Sequence, residues 1–333
     1  VIKQQRGAAL IAVLLVMALI ASLLAGYAYR ESQVLDRFQM QKGTDRLVLL
    51  GMSAERWVLS QLRKDASQNR YDSFLDDWAR DVPELPVEGG LLSGSLVDLE
   101  RYININRFTH LSADEFEAEI KKEVSDITLL HRIASIAGQE LSDDQMYSLI
   151  DWQDADDQST RGGFESPEYQ LLEVPYRAAN SSLVDISELR LINGFSAAQV
   201  AALSTYLAAF PDDHTQINVN TTSKEVLMSL WDAIDIDVAE QLLAMREQSP
   251  WQTVDAFVID LASVLEVDPS DVSAVLERKA YSPLAVESHY FRLSIKFDLD
   301  GLRMFYRAIL KRSRVDNEVR VGVESRSIQF EKI

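Results

Sequence analysis

From Ala8 to Tyr29 the chain carries no charged residue. A stretch of this length is what a helix needs to cross a bilayer. Lys3 and Arg6 precede it, so the positive-inside rule keeps that end in the cytoplasm and sends the rest outward, to the periplasm of a Gram-negative cell. The apolar pattern does not stop at Tyr29. Val34, Leu35, Phe38, Leu47, Leu50, Ala54, Trp57, Val58 and Leu62 recur at helical spacing, and no proline intervenes before Pro83. Gly43 and Gly51 weaken the middle of this pattern. The spacing predicts one long helix, apolar all round in its first half and amphipathic in its second.

Three readings of that segment compete. A secretory signal peptide would be cut after Ala28, in "GYA", but the helical pattern runs straight through the cut. A plain signal anchor would stay uncut. A prepilin leader, short and basic and ending in glycine, would be cleaved between Gly7 and Ala8.

The chain is long enough, at 333 residues, for a sizeable core and two folding units. A net charge of -19 repels phosphate backbones and argues against nucleic acid as a partner. With no cysteine there are no disulfides, thiolate nucleophiles or zinc–sulfur sites.

Beyond the helix, "GGLLSGSLVDLERYININRF" reads as strand and turn, punctuated by Gly89, Gly90 and Gly94. Near the C-terminus Leu293, Ile295, Phe297 and Leu299 alternate with other residues. Asp300-Gly301 then supplies a hairpin turn into a second strand, and "EVRVGVESRSIQF" reads as a third with a kink at Gly322. One sheet is therefore assembled from both ends of the chain. Between them the pattern is helical, with capping boxes at Ser112/Glu115, Ser142/Gln145, Ser196/Gln199 and Thr222/Glu225, a looser one at Asp237/Glu240, and a helix opening at Asp268-Pro269. Two loosely similar halves of helix–turn–helix character follow one another in this stretch. The fold class is α+β: a pilin-like long N-terminal helix on a small antiparallel sheet, with a large inserted all-helical domain. Its parts are a leader at 1–7, an apolar half-helix at 8–29, the amphipathic helix and first strands at 30–106, the helical insert at 107–286 and the C-terminal strands at 287–333.

"DWQDADDQSTRGGFESPE" is the most oxygen-rich loop. Asp151, Asp154, Asp156 and Asp157 crowd together, with Glu165 and Glu168 following. Counted as an EF-hand from Asp154, Glu165 falls on the bidentate position, but Ser159 occupies the glycine slot, so the loop is not an EF-hand. Carboxylates held this close repel unless a cation or solvent intervenes. Calcium bound by Asp151, Asp154, Asp156, Asp157 and Glu165 stands against a solvated acidic loop in which Asp151 caps a helix end. "INVNTTSKEVL…AIDIDVAEQLLAMRE" is similar to a helix–hairpin–helix DNA-binding module, but its turn carries Asp232, Asp235 and Asp237 and no glycine, which disfavours phosphate. Catalytic patterns are thin: the histidines are scattered, "GGLLSGS" lacks a P-loop ending, and nothing places a nucleophile beside a base. "DEFEAEIKKEV" reads as a solvated helix face.

"KQQRGAALIAVLLVMALIASLLA" resembles the leader and helix of type II secretion pseudopilins. "LIDWQDADDQ", "PYRAANSSLVDISELRLINGF" and "INVNTTSKEVL", in that order, resemble the K class of minor pseudopilins, and the resemblance covers nearly the whole chain. Most pseudopilins carry glutamate at the fifth mature residue. Counted from Ala8 that position is Ala12, and no acid occurs before Glu31; K-class members usually lack that glutamate. The resemblance implies cleavage by prepilin peptidase, methylation, and calcium in the insert. It implies a structural role at the pseudopilus tip, nucleating or capping assembly with I- and J-class and then H-class pseudopilins, to support export of folded periplasmic proteins. It also implies residence in the inner membrane with most of the chain in the periplasm, and contact with secreted substrates or the outer-membrane secretin. A membrane-anchored helix–hairpin–helix DNA-binding protein is the alternative.

Overall fold

The structure is a computed structural model that describes residues 3–87, 90–108, 126–212, 216–276, 284–299, 301–316 and 318–332. Helix α1 runs unbroken from Lys3 to Gln68, about 100 Å at 1.5 Å per residue. From Leu10 to Phe38 every side chain is exposed in the isolated chain, so the apolar half makes no contact that would hold it in water. The amphipathic half does. Leu47, Gly51, Glu55, Val58, Leu62 and Ala66 recur every three or four residues and are buried. They lie on a five-stranded antiparallel sheet of order β1-β2-β7-β8-β9: Val82–Val87, Gly90–Asp98, Tyr290–Leu299, Leu302–Val315 and Glu318–Lys332. Phe291, Leu293, Ile295, Phe297 and Leu299 alternate on the helix-facing side of β7, and Met304, Tyr306, Ala308 and Leu310 do so on β8.

Gly43 and Gly51 do not interrupt the helix; they set its distance from the sheet. A β-carbon at Gly51 would lie 2.7 Å from the Tyr306 ring, and one at Gly43 would lie 3.0 Å from Leu302. Glu55 is the charged member of the buried face. Its carboxylate accepts from the Tyr306 hydroxyl at 2.7 Å and from Arg326 Nε and Nη2 at 2.7 and 2.8 Å, pinning the helix to β8 and β9.

Some local expectations shift. Gly90 and Gly94 lie inside β2, paired with Leu299 and Ile295, not in turns. A β-carbon at Gly90 would meet the Asp298 carbonyl oxygen at 1.8 Å, so close strand approach explains that glycine. Gly301, with φ of 81°, turns the β7–β8 hairpin; Asp300 lies outside the described residues. Gly322 stays in register opposite Lys311, and the slip in that ladder falls between Ile309 and Leu310, whose partners are Ser325 and Val323.

The insert enters between β2 and β7 and has its own apolar core, which begins at Ile103 and Ile105, ahead of residue 107. "RYININ" forms only a two-residue strand, β3 (Ile103–Asn104), parallel to β4 (Leu207–Ala208). A matching ladder joins β5 (Ile217–Asn218) to β6 (Leu284–Ala285). Each ladder opens on the same I-N-x-N motif, and the motif does the same work twice. Asn106 Nδ2 donates to the Leu183 carbonyl at 2.8 Å and its Oδ1 accepts from the Leu183 amide at 2.8 Å. Asn220 closes the same ring on Trp251 at 2.8 and 2.9 Å. The insert is thus two halves, each tied shut by a buried asparagine that satisfies a distant loop's backbone.

Among the described residues the α-helices of the insert are α2 (Asp126–Ile136), α3 (Asp143–Gln153), α4 (Ser166–Tyr169), α5 (Ala197–Leu203), α6 (Lys224–Leu230), α7 (Ile236–Gln248), α8 (Val254–Leu265) and α9 (Pro269–Leu276). Capping boxes form at Ser142/Gln145 and Ser196/Gln199. Two others are reframed: Ser223, not Thr222, caps α6, and Asp235, not Asp237, caps α7. Thr222 is buried and donates instead to the Arg101 carbonyl at 2.7 Å. Ser112, Glu115 and "DEFEAEIKKEV" lie outside the described residues.

Candidate functional site

The acidic loop joins α3 to α4, and its carboxylates converge from both ends. Asp151 sits in the last turn of α3, Asp154 caps it, and Glu165 stands at the N-cap of α4. One oxygen from each lies within 4.8 Å of the others, with Asp151 and Glu165 buried. Asp156 and Asp157 are not brought into this group; both are exposed. Asp156 accepts from the Gln158 amide at 2.8 Å, and the Asp156 carbonyl accepts from Asn180 Nδ2 at 2.8 Å.

The scaffold is specific. Thr160 donates its amide to Asp151 Oδ2 at 3.0 Å, and its hydroxyl also donates to that carboxylate. Glu168 Oε2 accepts from the Glu165 amide at 3.0 Å and the Ser159 hydroxyl at 3.1 Å. A β-carbon at Gly163 would lie 1.9 Å from Asp151 Oδ2, so only glycine lets the loop close over that carboxylate. Both oxygens of Glu165 are buried without a well-formed hydrogen bond, and the Ser166 amide at the start of α4 favours their charged form only weakly against burial. Burial, then the charges of Asp154 and Asp151, pushes Glu165 up to about 8; burial pushes Asp151 to about 6 and raises Asp154. Two orphaned oxygens among three converging carboxylates are what a hard cation with oxygen ligands would satisfy. The donor set fits calcium.

A second acidic group differs in kind. Asp65, Asp72 and Asp76 converge at the end of α1, but the buried Arg312 already supplies their cation. It bonds Asp72 directly, and its Nη1 lies 3.6 Å from Asp65. Around it Asp98 accepts from Ser288 at 2.7 Å, and His289 lies 3.5 Å from Glu100. This network welds helix, sheet and insert, and the sequence reading missed it because its members are far apart in the chain.

Two of the three aspartates of the helix–hairpin–helix-like turn have structural employment. Asp232 pairs with Arg132 at 2.7 Å, and Asp235 accepts from the Val238 amide at 2.9 Å. Gly7 and Ala8 lie within α1, and Ala12 is exposed on its apolar half. Among the described residues, α1 is the one helix long and apolar enough to cross a membrane.

A long helix, apolar then amphipathic, on an antiparallel sheet split by a helical insert defines a pilin-like subunit. The comparisons with known proteins carry the assignment further. Two profiles described as "Type II secretion system (T2SS), protein K" match residues 102–212 and 217–279, the two halves that the repeated asparagine motif delimits. Type II secretion system protein K of Pseudomonas aeruginosa is 30% identical over 331 residues, 96% of this chain and 92% of that protein. Its counterpart in Aeromonas hydrophila is 26% identical over 330 residues, 95% of this chain and 96% of that protein. A chain in the crystal structure of the GspK-GspI-GspJ complex from the enterotoxigenic Escherichia coli type 2 secretion system superposes with a TM-score of 0.71 at 22% identity. That match covers 88% of this chain and 99% of that one, and shows that the fold is shared. The chain belongs to the type II secretion system protein K family, the K class of minor pseudopilins. The DNA-binding alternative gains no support from these matches.

Proposed function

We propose that this chain stands at the distal end of the type II secretion pseudopilus, where it nucleates or caps assembly with I- and J-class and then H-class pseudopilins in support of export. Its role there is structural, not catalytic. The observation that carries this reading is the absence of any acid from the apolar half of α1, with Ala12 where the family's glutamate is usual. In a filament of such helices, that glutamate neutralises the N-terminal amine of the subunit above. An unpaired charge in an apolar core is costly, so a first subunit, with no amine above it, is best served by an uncharged side chain. The insert suits the same place, because a domain of that bulk would collide with a neighbour stacked above. Before assembly α1 anchors the chain in the inner membrane with the remainder in the periplasm, and prepilin peptidase frees Ala8 by cutting after Gly7. Calcium held by Asp151, Asp154 and Glu165 would supply the positive charge that fixes the α3–α4 loop.

Co-expression of this chain with the I- and J-class pseudopilins of its own secretion system tests the assignment. A complex with one copy of each is expected. Purification of this chain alone, while the other two still pair, would contradict it.

A further inference from the structure

The sheet face turned away from α1 is basic in an acidic chain. The β7–β8 hairpin, residues 290–315, carries seven lysines and arginines against two aspartates, where the whole chain carries 33 against 52 acids. Alternation sends Arg312 and Arg314 to the helix side, and leaves Arg292, Lys296, Arg303, Arg307 and Lys311 on the outer face. The insert covers one end of that face: Ala208 and Phe210 pack with Leu99 around Tyr290, and Lys311 lies 3.8 Å from Asp212. Among the described residues the remainder is open. A shallow depression of about 360 Å³ lies there, lined by Ser93, Ser95, Ser294, Lys296, Phe305 and Arg307.

Two of the cations are uncommitted. Arg303 pairs with Asp298 at 2.7 Å and reaches Glu331 at 3.5 Å. Lys296 is the second cation on Asp298, at 3.2 Å, and lies 3.9 Å from Glu84. Arg292 and Arg307 form no ion pair with any described residue. The carboxylate that stands near both is Asp185 of the insert, which already accepts from the Ser187 amide at 2.8 Å. The register makes this arrangement costly. Arg307 faces Ser294, with Arg292 and Lys296 two residues to either side. Arg307 is therefore the diagonal neighbour of both, at about 7–8 Å, and like charges so placed repel. A solvated sheet face would intersperse the two signs.

We infer that this face seats a short, extended acidic segment of a partner protein, with one carboxylate between Arg292 and Arg307 and the next between Arg307 and Lys296. The inference goes beyond the filament role and does not rest on it. The two gaps are separated by half the run from Arg292 to Lys296, about 7 Å, which is two residues of an extended chain. Acids alternating with other residues therefore match the face. Serines keep its floor low along the row Ser95, Ser294, Arg307 and Ser327, and Phe305, 40% exposed, offers the segment an apolar contact. A lipid headgroup is excluded by distance, because the sheet packs on α1 from Leu47 onward, about 27 Å beyond Tyr29 at 1.5 Å per residue. A nucleic acid would run past the face into the field of a chain of net charge -19. A short segment escapes that field, since charges beyond about 8 Å are screened at physiological salt.

The detergent-solubilised full-length chain is titrated into a fluorescent peptide of about ten residues that alternates Glu with Thr, and polarisation is read at physiological salt. The same peptide with Gln for Glu is the control. The Glu peptide should bind and the Gln peptide should not. Arg292→Gln with Arg307→Gln should weaken binding about tenfold, the single Arg307→Gln about threefold, and Lys64→Gln on α1 not at all. Both arginine variants should melt no lower than the parent, because a like-charge contact is removed; if the double variant does melt lower, the single one decides. Equal affinity of the parent and the arginine variants overturns the inference, as does equal binding of the Gln peptide or no binding at millimolar peptide. Displacement by inorganic tripolyphosphate at concentrations below those of the unlabelled Glu peptide assigns the face to phosphate and overturns it. Concentration-dependent self-association that the double variant abolishes gives the face to a second copy and overturns it equally.

Discussion

Replacing Glu165 with glutamine should stabilise the calcium-free protein and abolish what calcium adds. The three carboxylates of the α3–α4 loop each place an oxygen within 4.8 Å of the others. Two full charges at that separation repel by about 3.5 kcal/mol at an effective dielectric near 20. Without a cation the fold avoids this by retaining a proton on Glu165, whose pKa rises from the usual 4.5 to about 8. A raised carboxyl contributes fully below its unfolded value and loses that contribution as pH climbs through the folded one. In chelator, melting temperature should therefore fall as pH rises from 4.5 toward about 8, and Glu165→Gln should lessen the fall. The gain for the variant near the top of that range is of order 1–3 kcal/mol, or about 2–8 °C in a chain of this size.

With calcium the order reverses. At about a hundred times its dissociation constant the ion adds about 2.7 kcal/mol to the unsubstituted protein, and it should add little to the variant. Differential scanning calorimetry of the detergent-solubilised chain, in chelator and in millimolar calcium, reads both effects. Equal calcium shifts in the two proteins, or a variant less stable than its parent in chelator at high pH, would refute the reasoning.

Other substitutions test the frame. Gly51→Leu drives a side chain into Tyr306, whose ring lies 2.7 Å from the position of the first added carbon. It should destabilise the helix–sheet unit by about 1–3 kcal/mol and speed hydrogen exchange in β8. Asn220→Leu leaves the Trp251 amide and carbonyl unpaired in the core and should cost about 2–4 kcal/mol in denaturant melts, with Asn106→Leu costing a similar amount in the other half. Gly7→Leu should leave the leader uncleaved, which the intact mass of the membrane-extracted protein reports.

The long helix, the sheet drawn from both chain ends and the helical insert were legible because each rests on periodicity or on turn chemistry local in sequence. The acidic loop was legible as a cluster, but its geometry was not. Asp156 and Asp157 are as close in sequence to Asp154 as any ligand, yet the turn that pairs Asp156 with Gln158 faces them outward. Glu165 joins because α4 begins there. Capping frames slipped by a residue or two where adjacent Ser, Thr and Asp compete for one helix end, as at Thr222-Ser223 and Asp235–Asp237. The glycines of α1 were read as weak points and those of β2 as turn punctuation, since sequence alone does not show which neighbour comes close. The repeated I-N-x-N at 103–106 and 217–220 was visible as letters, but its meaning needed the distant partners Leu183 and Trp251. The Arg312 junction left no local trace at all, as its carboxylates come from α1, β2 and the loops that follow them.

The place of this chain in the filament can be read directly by labelling. Because it has no native cysteine, Ser263→Cys can carry a single gold label on the insert without disturbing α1. Pseudopili overproduced with this variant should show one label per filament, at one end. Labels spaced regularly along the shaft would contradict the tip assignment and the account of Ala12 built on it.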